Sequence, residues 1–336
     1  MKVKLVAVCC ALFILAGCAP KSAPSSSQSA PPAASGSKSS VTAKKIGIIQ
    51  LAENGAFKDM REGFIEKLNQ LGYTGDLLKI DFKEAQGDVG TLNTICQEMA
   101  RSQNDIVVTI ATPAAQAYVN QQSKIPLIFI SVTDPIAAGI MSSLEKPDRN
   151  ATGTSNLVPV ENIFKLADSL TPGIKTYGML YNTGEKNAVV TVQKAKAYLD
   201  EIKVAYVEAT VANSSEVQQA AEFLAGKADA IYVPIDSMVQ SAMPQVARAA
   251  LDKKKPVYGS SPVMVASGAL ATVSLGDRYM GGVSAEMADK YFKGTPITDI
   301  PAIRLDGFIV TVNKKTLDEL GLKIPGSMTN VNLIGQ

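Results

Sequence analysis

The sequence predicts an α/β fold with two doubly wound parallel-sheet lobes, a hinge and a ligand cleft between the lobes. From Lys45 onward, short apolar runs rich in β-formers alternate with helical spacing, a pattern typical of parallel sheets covered by helices. The pattern then repeats, because Lys45–Gln50 and Tyr177–Asn182 each open a strand that leads into a long helix. The expected strands are 46–49, 77–82, 106–110, 127–130, 177–181, 204–207, 230–233, 257–259, 270–275 and 308–312.

The chain begins with a predicted export signal. A short basic stretch precedes the apolar run Leu5–Leu15, which is too short to cross a bilayer. The run ends in Leu-Ala-Gly-Cys at 15–18, which resembles a bacterial lipobox, where the cysteine receives a diacylglycerol. We therefore expect a signal peptide at 1–17 and lipidation at Cys18, since two acyl chains hold a protein stably on a membrane. The alternatives are an ordinary secretory signal with a chance cysteine and a signal that stays on as an anchor.

A polar tether is predicted over residues 18–44. Between Ala19 and Lys44 the chain has nine serines, four prolines and no aromatic residue. Such a segment buries too little apolar surface to offset the entropy of ordering, so we expect disorder.

The mature chain keeps only Cys96 as a free thiol. It occupies an apolar position of a helical pattern, which favours a buried side chain over a reactive one.

Charge and composition exclude several classes of function. Without Lys2 and Lys4, the 33 basic residues fall to 31 and equal the 31 acidic residues, so there is no electrostatic footprint for nucleic acid. The chain has no histidine, which removes the usual general base and the commonest metal ligand. It also lacks the glycine-rich phosphate motifs and the Gly-x-Ser-x-Gly elbow. We therefore expect a binding protein, not an enzyme, with no cofactor and no metal.

Strand-end loops of the first lobe carry one group of candidate ligand contacts. Ligands of open α/β sheets bind beyond the carboxyl ends of the strands. Thr112 and Pro113 open a helix after one strand, and amides and the dipole at a helix start favour an anion such as a carboxylate. Plain helix capping explains the same residues. The candidates in this lobe are Gln50, Glu53, Ala111, Thr112, Ser131, Thr133 and Asp134.

The second lobe supplies the other group. Asp236 follows the strand 230–233 and precedes a helix. Its carboxylate is expected to pair with a ligand ammonium, although an ordinary N-cap explains it equally well. Tyr181 and Asn182 end another strand and are expected to stack on the ligand and to hydrogen-bond its polar end. Glu185, at the start of the next helix, is a further ligand contact or a favourable first-turn acid.

Five short motifs together resemble a known family. The motifs are Ala-Thr-Pro-Ala-Ala-Gln-Ala at 111–117, Thr-Asp-Pro at 133–135, Gly-Thr-Ser at 153–155, Asn-Ser-Ser-Glu-Val at 213–217 and Gly-Ala-Leu-Ala-Thr at 268–272. With them the sequence resembles the ABC transporter substrate-binding proteins of the tryptophan/tyrosine-binding type, which have the type I periplasmic-binding fold. The resemblance covers about Lys45 to Leu322 and implies an amino-acid ligand, often aromatic, that is delivered to a membrane permease and its ATPase.

The resemblance also assigns roles to residues. It implies a seat for the ligand carboxylate at the strand-end loops, and it implies Asp236 as the ammonium partner. The seat comprises Ala111, Thr112, Ser131 and Thr133. The chain departs from the family pattern at three places. Asn54 replaces a histidine in Glu-His-Pro, Asn156 replaces an aspartate, and Ser261, a further candidate contact, replaces the acid of Gly-Glu.

The expected domain layout follows from the same resemblance. Lobe 1 is expected at 45–153 and lobe 2 at 154–274. Residues 275–336 are expected to cross back, first completing lobe 1 with the stretch Met280–Tyr291 and then lobe 2 with a strand near 308–312. The protein is then a monomeric, lipid-anchored, solute-binding protein on the extracytoplasmic face of the membrane. A sensor of the same fold, which presents a solute to a receptor, is the alternative.

Overall fold

The computed structural model describes residues 43–335. The predicted signal peptide at 1–17, the lipidation site Cys18 and most of the predicted tether at 18–44 lie outside the described residues. Among the described residues, none of the helices combines the length and the apolar character needed to cross a membrane.

Strands and helices alternate along the chain. The first part contains β1 (Lys44–Gln50), α1 (Gly55–Gln70), β2 (Leu78–Glu84), α2 (Val89–Met99), β3 (Ile106–Ile110), α3 (Ala111–Val119), β4 (Leu127–Val132) and β5 (Ala151–Ser155). The middle part contains α4 (Val160–Leu170), β6 (Thr176–Asn182), α5 (Lys186–Glu201), β7 (Ala205–Val211), α6 (Val217–Lys227), β8 (Ala230–Tyr232), α7 (Ser237–Ser241), α8 (Met243–Leu251), β9 (Val257–Tyr258), α9 (Pro262–Ala266) and β10 (Ala271–Ser274). The last part contains α10 (Asp277–Phe292), β11 (Ile303–Arg304), β12 (Ile309–Asn313), α11 (Lys314–Glu319) and β13 (Val331–Ile334).

The two lobes share one strand order. Lobe 1 has the sheet β11-β5-β4-β3-β1-β2 and lobe 2 has the sheet β13-β12-β10-β9-β8-β6-β7. Neighbouring strands are parallel throughout, except that β12 runs antiparallel to β10. The core order β2-β1-β3-β4-β5 therefore recurs as β7-β6-β8-β9-β10. This confirms the predicted fold of two doubly wound α/β lobes.

Helices cover both faces of each sheet. In β1, Ile46 and Ile48 pack into one cluster with apolar residues of α1 and α10, whereas Ile49 packs into a second cluster with α2 and α3. Lobe 2 has two such clusters as well, one under α4 and α5 and one under α6 to α9. Because both faces are buried, the central strands are apolar at successive positions, as in the fully buried β3.

The described chain crosses between the lobes at three places, after Ser155, after Ser274 and after Arg304. The expected boundary between residues 153 and 154 falls inside β5, so the first sheet continues two residues further than that boundary. After β10, helix α10 packs closely on α1 in lobe 1, and β12 and β13 then join the sheet of lobe 2. The close packing depends on Gly63 and Gly281, where an added Cβ would collide with the backbone of the facing helix.

Candidate functional site

Two adjoining cavities lie between the lobes. The larger, of about 1100 Å³, is lined by loops after β1 and β2 of lobe 1 and by loops after β6 and β7 of lobe 2. The smaller, of about 250 Å³, lies between the loops after β3 and β4 and the start of α5, and Thr183 lines both cavities. Both occupy the carboxyl ends of the strands, next to the points where strand order reverses. This is where open α/β sheets bind ligands.

The loops after β3 and β4 have unusual backbone conformations. Ala111 has φ 68° and Ser131 has φ 61°, which is the left-handed region that residues other than glycine rarely adopt. Such strained residues cluster at functional sites, where the surrounding structure holds them in place. Here the two loops contact each other, because Thr133 N in the loop after β4 donates to Thr112 Oγ1 after β3 at 3.4 Å. Thr112 and Thr133 both line the smaller cavity.

The strand β5 and the residue after it brace these loops. Ser131 N donates to Thr154 Oγ1 at 3.2 Å, and Ser155 Oγ donates to Thr133 O at 3.2 Å. Asn156, which replaces the aspartate of the family pattern, donates from Nδ2 to Ser131 Oγ at 3.3 Å. The neutral amide therefore supports the loop after β4 without adding a negative charge to it.

Gln50 does not line either cavity. Its Oε1 accepts from Arg61 Nη1 at 2.8 Å and its Nε2 donates to Ala52 O at 3.1 Å and to Glu53. Arg61 also binds both carboxylate oxygens of Glu53, at 3.0 and 3.1 Å, and this hydrogen bonding lowers the pKa of Glu53. Gln50 thus holds the loop after β1, while Glu53 lines the larger cavity.

Two buried carboxylates lie at the lobe 2 side of the cleft. Asp236 Oδ1 accepts from Met238 N at 3.1 Å and Val239 N at 2.9 Å, and Oδ2 accepts from Asn182 N at 2.6 Å. Asp236 is therefore the N-cap of α7, and it does not line a cavity. Both carboxylate oxygens of Glu185 accept from Ser237 N, each at 3.0 Å. Glu185 lines the larger cavity.

Burial changes the proton affinity of this pair. Burial, together with the negative charge of Asp236, raises the pKa of Glu185 to about 8. Burial also raises the pKa of Asp236 to about 6. The raised pKa values mean that the two carboxyl groups resist ionising together, and a nearby cationic group would favour their ionised forms.

Tyr181 lines neither cavity, so the structure does not place it where the predicted stacking on a ligand would occur. Its ring packs in the core of lobe 2 and its hydroxyl donates to Glu208 Oε2 at 2.8 Å. The reason is strand alternation, since successive side chains of β6 point to opposite faces of the sheet and Tyr181 faces the helices. The next residue, Asn182, ends the strand and lines the larger cavity.

Ser261 takes part in a contact between the lobes. Its Oγ donates to Gln240 Oε1 at 2.7 Å, and Gln240 Nε2 donates to Asn54 Oδ1 at 3.0 Å. Asn54 belongs to lobe 1, where it caps α1 by accepting from Phe57 N at 3.0 Å. Two positions at which the chain departs from the family pattern, Asn54 and Ser261, are therefore joined through Gln240 across the cleft.

Half of the predicted contacts reach the cavities. Those that line one are Glu53, Thr112, Thr133, Asp134, Asn182 and Glu185. Those that do not are Gln50, Ala111, Ser131, Tyr181, Asp236 and Ser261. The sequence reasoning missed Arg61, Asn187 and Gln240. Asn187 could have been found from its place in the first turn of the helix after β6, at the same level as the candidate Glu185.

Comparison with known proteins gives consistent matches. The family model for ABC transporter substrate binding protein matches residues 45–332. A tyrosine-binding protein of Clostridioides difficile is 38% identical over 281 residues, which cover 83% of this chain and 81% of that protein.

Two solved structures are informative about conformation. The ABC domain from Streptococcus pneumonia in complex with L-Trp has a TM-score of 0.84 at 33% identity, covering 87% of this chain and 100% of that one. The ligand-free, open structure of a substrate binding protein with adhesive properties from Clostridium difficile has a TM-score of 0.67 at 37% identity, covering 87% and 99%. This chain thus resembles the L-Trp complex more closely in shape, although it is nearer the open structure in sequence. On the extent of these matches, the chain belongs to the ABC transporter substrate binding protein family.

Proposed function

We propose that this protein captures an amino acid with an aromatic or large apolar side chain between its lobes and delivers it to the permease of an ABC importer. The observation that carries the proposal is the pairing of the two walls of the cleft. Lobe 1 presents the strained loops around Thr112 and Thr133, which suit a carboxylate. Lobe 2 presents the buried pair Glu185 and Asp236, which suits an ammonium group.

The larger cavity provides room for the side chain of the ligand. Its lining includes the apolar residues Leu51, Val89, Leu92 and Met238 as well as polar groups. A mixture of apolar walls and a few placed polar groups is typical of small-molecule sites. The tyrosine-binding relative and the L-Trp complex support an aromatic amino acid as the ligand class.

Attachment and location are part of the same proposal. The lipobox-like motif at 15–18 supports a lipid anchor at Cys18, and the family membership supports work outside the cytoplasm beside a permease. We propose no catalytic role. The cleft carries carboxylates, amides and hydroxyls, and the chain has no histidine to act as a general base.

A thermal-shift screen tests the ligand class. The chain from Val41 onward, which forms a compact unit, is heated with each of the twenty amino acids, short peptides and sugars. A ligand that binds only the folded state stabilises it by about 2.7 kcal/mol at one hundred times its Kd. We expect tyrosine, tryptophan or phenylalanine to give the largest rise in melting temperature. A rise with a sugar or peptide and with no amino acid would contradict the proposal.

A further inference from the structure

Asn187, in the first turn of α5, lines the smaller cavity and carries a buried hydrogen-bond acceptor. Its Nδ2 donates to Ile235 O at 2.7 Å. Because a carbonyl oxygen only accepts, the nitrogen of the amide must face Ile235 and the oxygen must face away from it. Asn187 lines the cavity, its residue is 7% exposed, and its Oδ1 has no hydrogen-bond partner within residues 43–335.

A second polar atom without a partner lies on the opposite wall. Thr133 of lobe 1 lines the same cavity and is 2% exposed. Its Oγ1 also has no hydrogen-bond partner in the part of the chain that the structure describes. Buried polar groups are normally hydrogen-bonded, because leaving one unpaired costs free energy. A solute that bonds both atoms at once would satisfy them and draw the two lobes together.

The charges near Asn187 indicate which kind of donor it receives. The side-chain amide of Asn187 donates to Ile235 O, and Ile235 immediately precedes Asp236. Glu185 is the N-cap of α5, two positions before Asn187. Asn187 therefore lies in the part of lobe 2 that contains the carboxyl groups of Glu185 and Asp236. Lys186 and Asp134 also line the smaller cavity and have opposite charges. The local field thus favours a cationic donor over a neutral one.

We propose that Asn187 Oδ1 accepts a hydrogen bond from the ammonium group of the captured amino acid, whose carboxylate lies towards Thr133 on the opposite wall. The smaller cavity then holds the zwitterionic end that all amino acids share. The side chain extends past Thr183 into the larger cavity. This assignment rests on the proposed function and names the residue through which lobe 2 recognises the ligand.

Calorimetry with two ligands tests the assignment. L-tyrosine is compared with 3-(4-hydroxyphenyl)propanoate, which lacks only the ammonium group, on the chain from Val41 onward. Asn187→Leu and the smaller Asn187→Ala should raise the Kd for L-tyrosine roughly 10- to 100-fold, as expected for a hydrogen bond to a charged group. Neither variant should change the Kd for the analogue by more than about twofold. A variant that merely misfolded would lose both ligands.

Thr272→Val is the matched control. Thr272 Oγ1 is also buried without a hydrogen-bond partner among the described residues, but Thr272 lies within β10 and lines neither cavity. This variant should leave both Kd values unchanged. Thr133→Val, in contrast, should weaken both ligands, because both keep the carboxylate.

The outcomes separate this inference from the proposed function. If the wild-type chain binds L-tyrosine or L-tryptophan and the Asn187 variants bind them equally well, the inference fails and the proposed function stands. If the wild-type chain binds no amino acid, both fail. A crystal structure of the L-tyrosine complex gives an independent reading. The ammonium nitrogen within about 3.2 Å of Asn187 Oδ1 would support the inference, and a larger separation would overturn it.

Discussion

Glu185 retains a proton at pH values where an exposed glutamate has lost it, because burial and the charge of Asp236 both oppose its ionisation. Its pKa is about 8 in the folded protein, above the ordinary value of 4.5. Between these values the folded state holds a proton that the unfolded chain releases. The stability linked to this proton is therefore complete below pH 4.5 and is lost as the pH rises through 8.

We therefore predict that Glu185→Gln flattens the dependence of stability on pH. Between about pH 5 and pH 8 the unfolding free energy of the wild-type protein should fall relative to that of the variant, by about 1.4 kcal/mol for each unit of pKa shift that is realised. Urea unfolding at several pH values measures the difference. Glu201→Gln, at the exposed end of the same helix, is the control and should follow the wild type. Parallel curves for Glu185→Gln would contradict the assigned protonation.

At this scale, sequence position predicted which loop places some candidate residues at the cavities, but not the place of others. Thr112, Thr133 and Glu185 line the cavities because they follow the carboxyl ends of strands, where the fold makes its cleft. Tyr181 is one residue too early in β6, and the alternation of the strand turns it into the core. Asn187 could be found from its place in the first turn of α5, but its hydrogen bond to Ile235, 48 positions away, could not be predicted from local sequence.

After β10 of lobe 2 the chain crosses back to lobe 1, where α10 packs closely on α1. At Gly281 of α10 an added Cβ would collide with the backbone of Met60, whereas at the next residue, Gly282, it would meet only Lys67 Cβ at 3.9 Å. The two glycines are adjacent in one helix, but only Gly281 has no room for a side chain.

We predict that Gly281→Ala destabilises the protein and that Gly282→Ala does not. The first substitution overpacks a helix contact, at a cost of about 1–3 kcal/mol. The second adds a methyl group at ordinary van der Waals distance from Lys67 Cβ and should stabilise the helix by about 0.5–1 kcal/mol. Thermal unfolding of the two variants gives the comparison. Equal losses of stability would show that α1 and α10 are less closely packed than the structure indicates.

Most strands, but not all, were predictable at the scale of elements. Runs of β-branched and aliphatic residues indicated β1, β3, β4 and β6, because strands buried on both faces must be apolar. β5 was missed, since its sequence Ala-Thr-Gly-Thr-Ser has no large apolar side chain. All five of its residues are nevertheless buried, and its hydroxyls bond to neighbouring loops and to Ile300 O.

For the whole molecule, one hydrogen-bonded chain joins the lobes at one side of the cleft. It runs from Ser261 through Gln240 to Asn54. Gln240 belongs to α7, the helix that Asp236 caps, so the contact lies close to the proposed ammonium site. A contact present only when the lobes approach stabilises the closed arrangement and thereby the bound ligand.

We predict that Gln240→Ala weakens amino-acid binding without altering the fold of either lobe. The loss of one hydrogen bond, about 0.5–1.5 kcal/mol, should raise the Kd by about two- to twelvefold. The control is Gln121→Ala, because Gln121 Nε2 bonds Ala117 O within lobe 1. Calorimetry measures the Kd values. An unchanged Kd for Gln240→Ala would show that the contact does not contribute to closure.

The repeated strand order was predictable from the sequence, because Lys45–Gln50 and Tyr177–Asn182 open similar strand and helix successions. The contact between Gln240 and Asn54 was not, because it joins residues 186 positions apart and depends on how the lobes face one another. Its two ends are the positions 54 and 261 where the chain departs from the family pattern.

The most direct test of capture between the lobes is the distance across the cleft, measured by energy transfer between dyes on Thr94→Cys in α2 and Gln219→Cys in α6. Both positions are exposed. The remaining thiol of the chain from Val41 onward, Cys96, is buried, and burial raises its pKa to about 12, so it resists labelling. We predict that L-tyrosine or L-tryptophan increases the transfer efficiency saturably, with the Kd found by calorimetry. Binding of either amino acid with no change in transfer efficiency would contradict capture by closure of the two lobes.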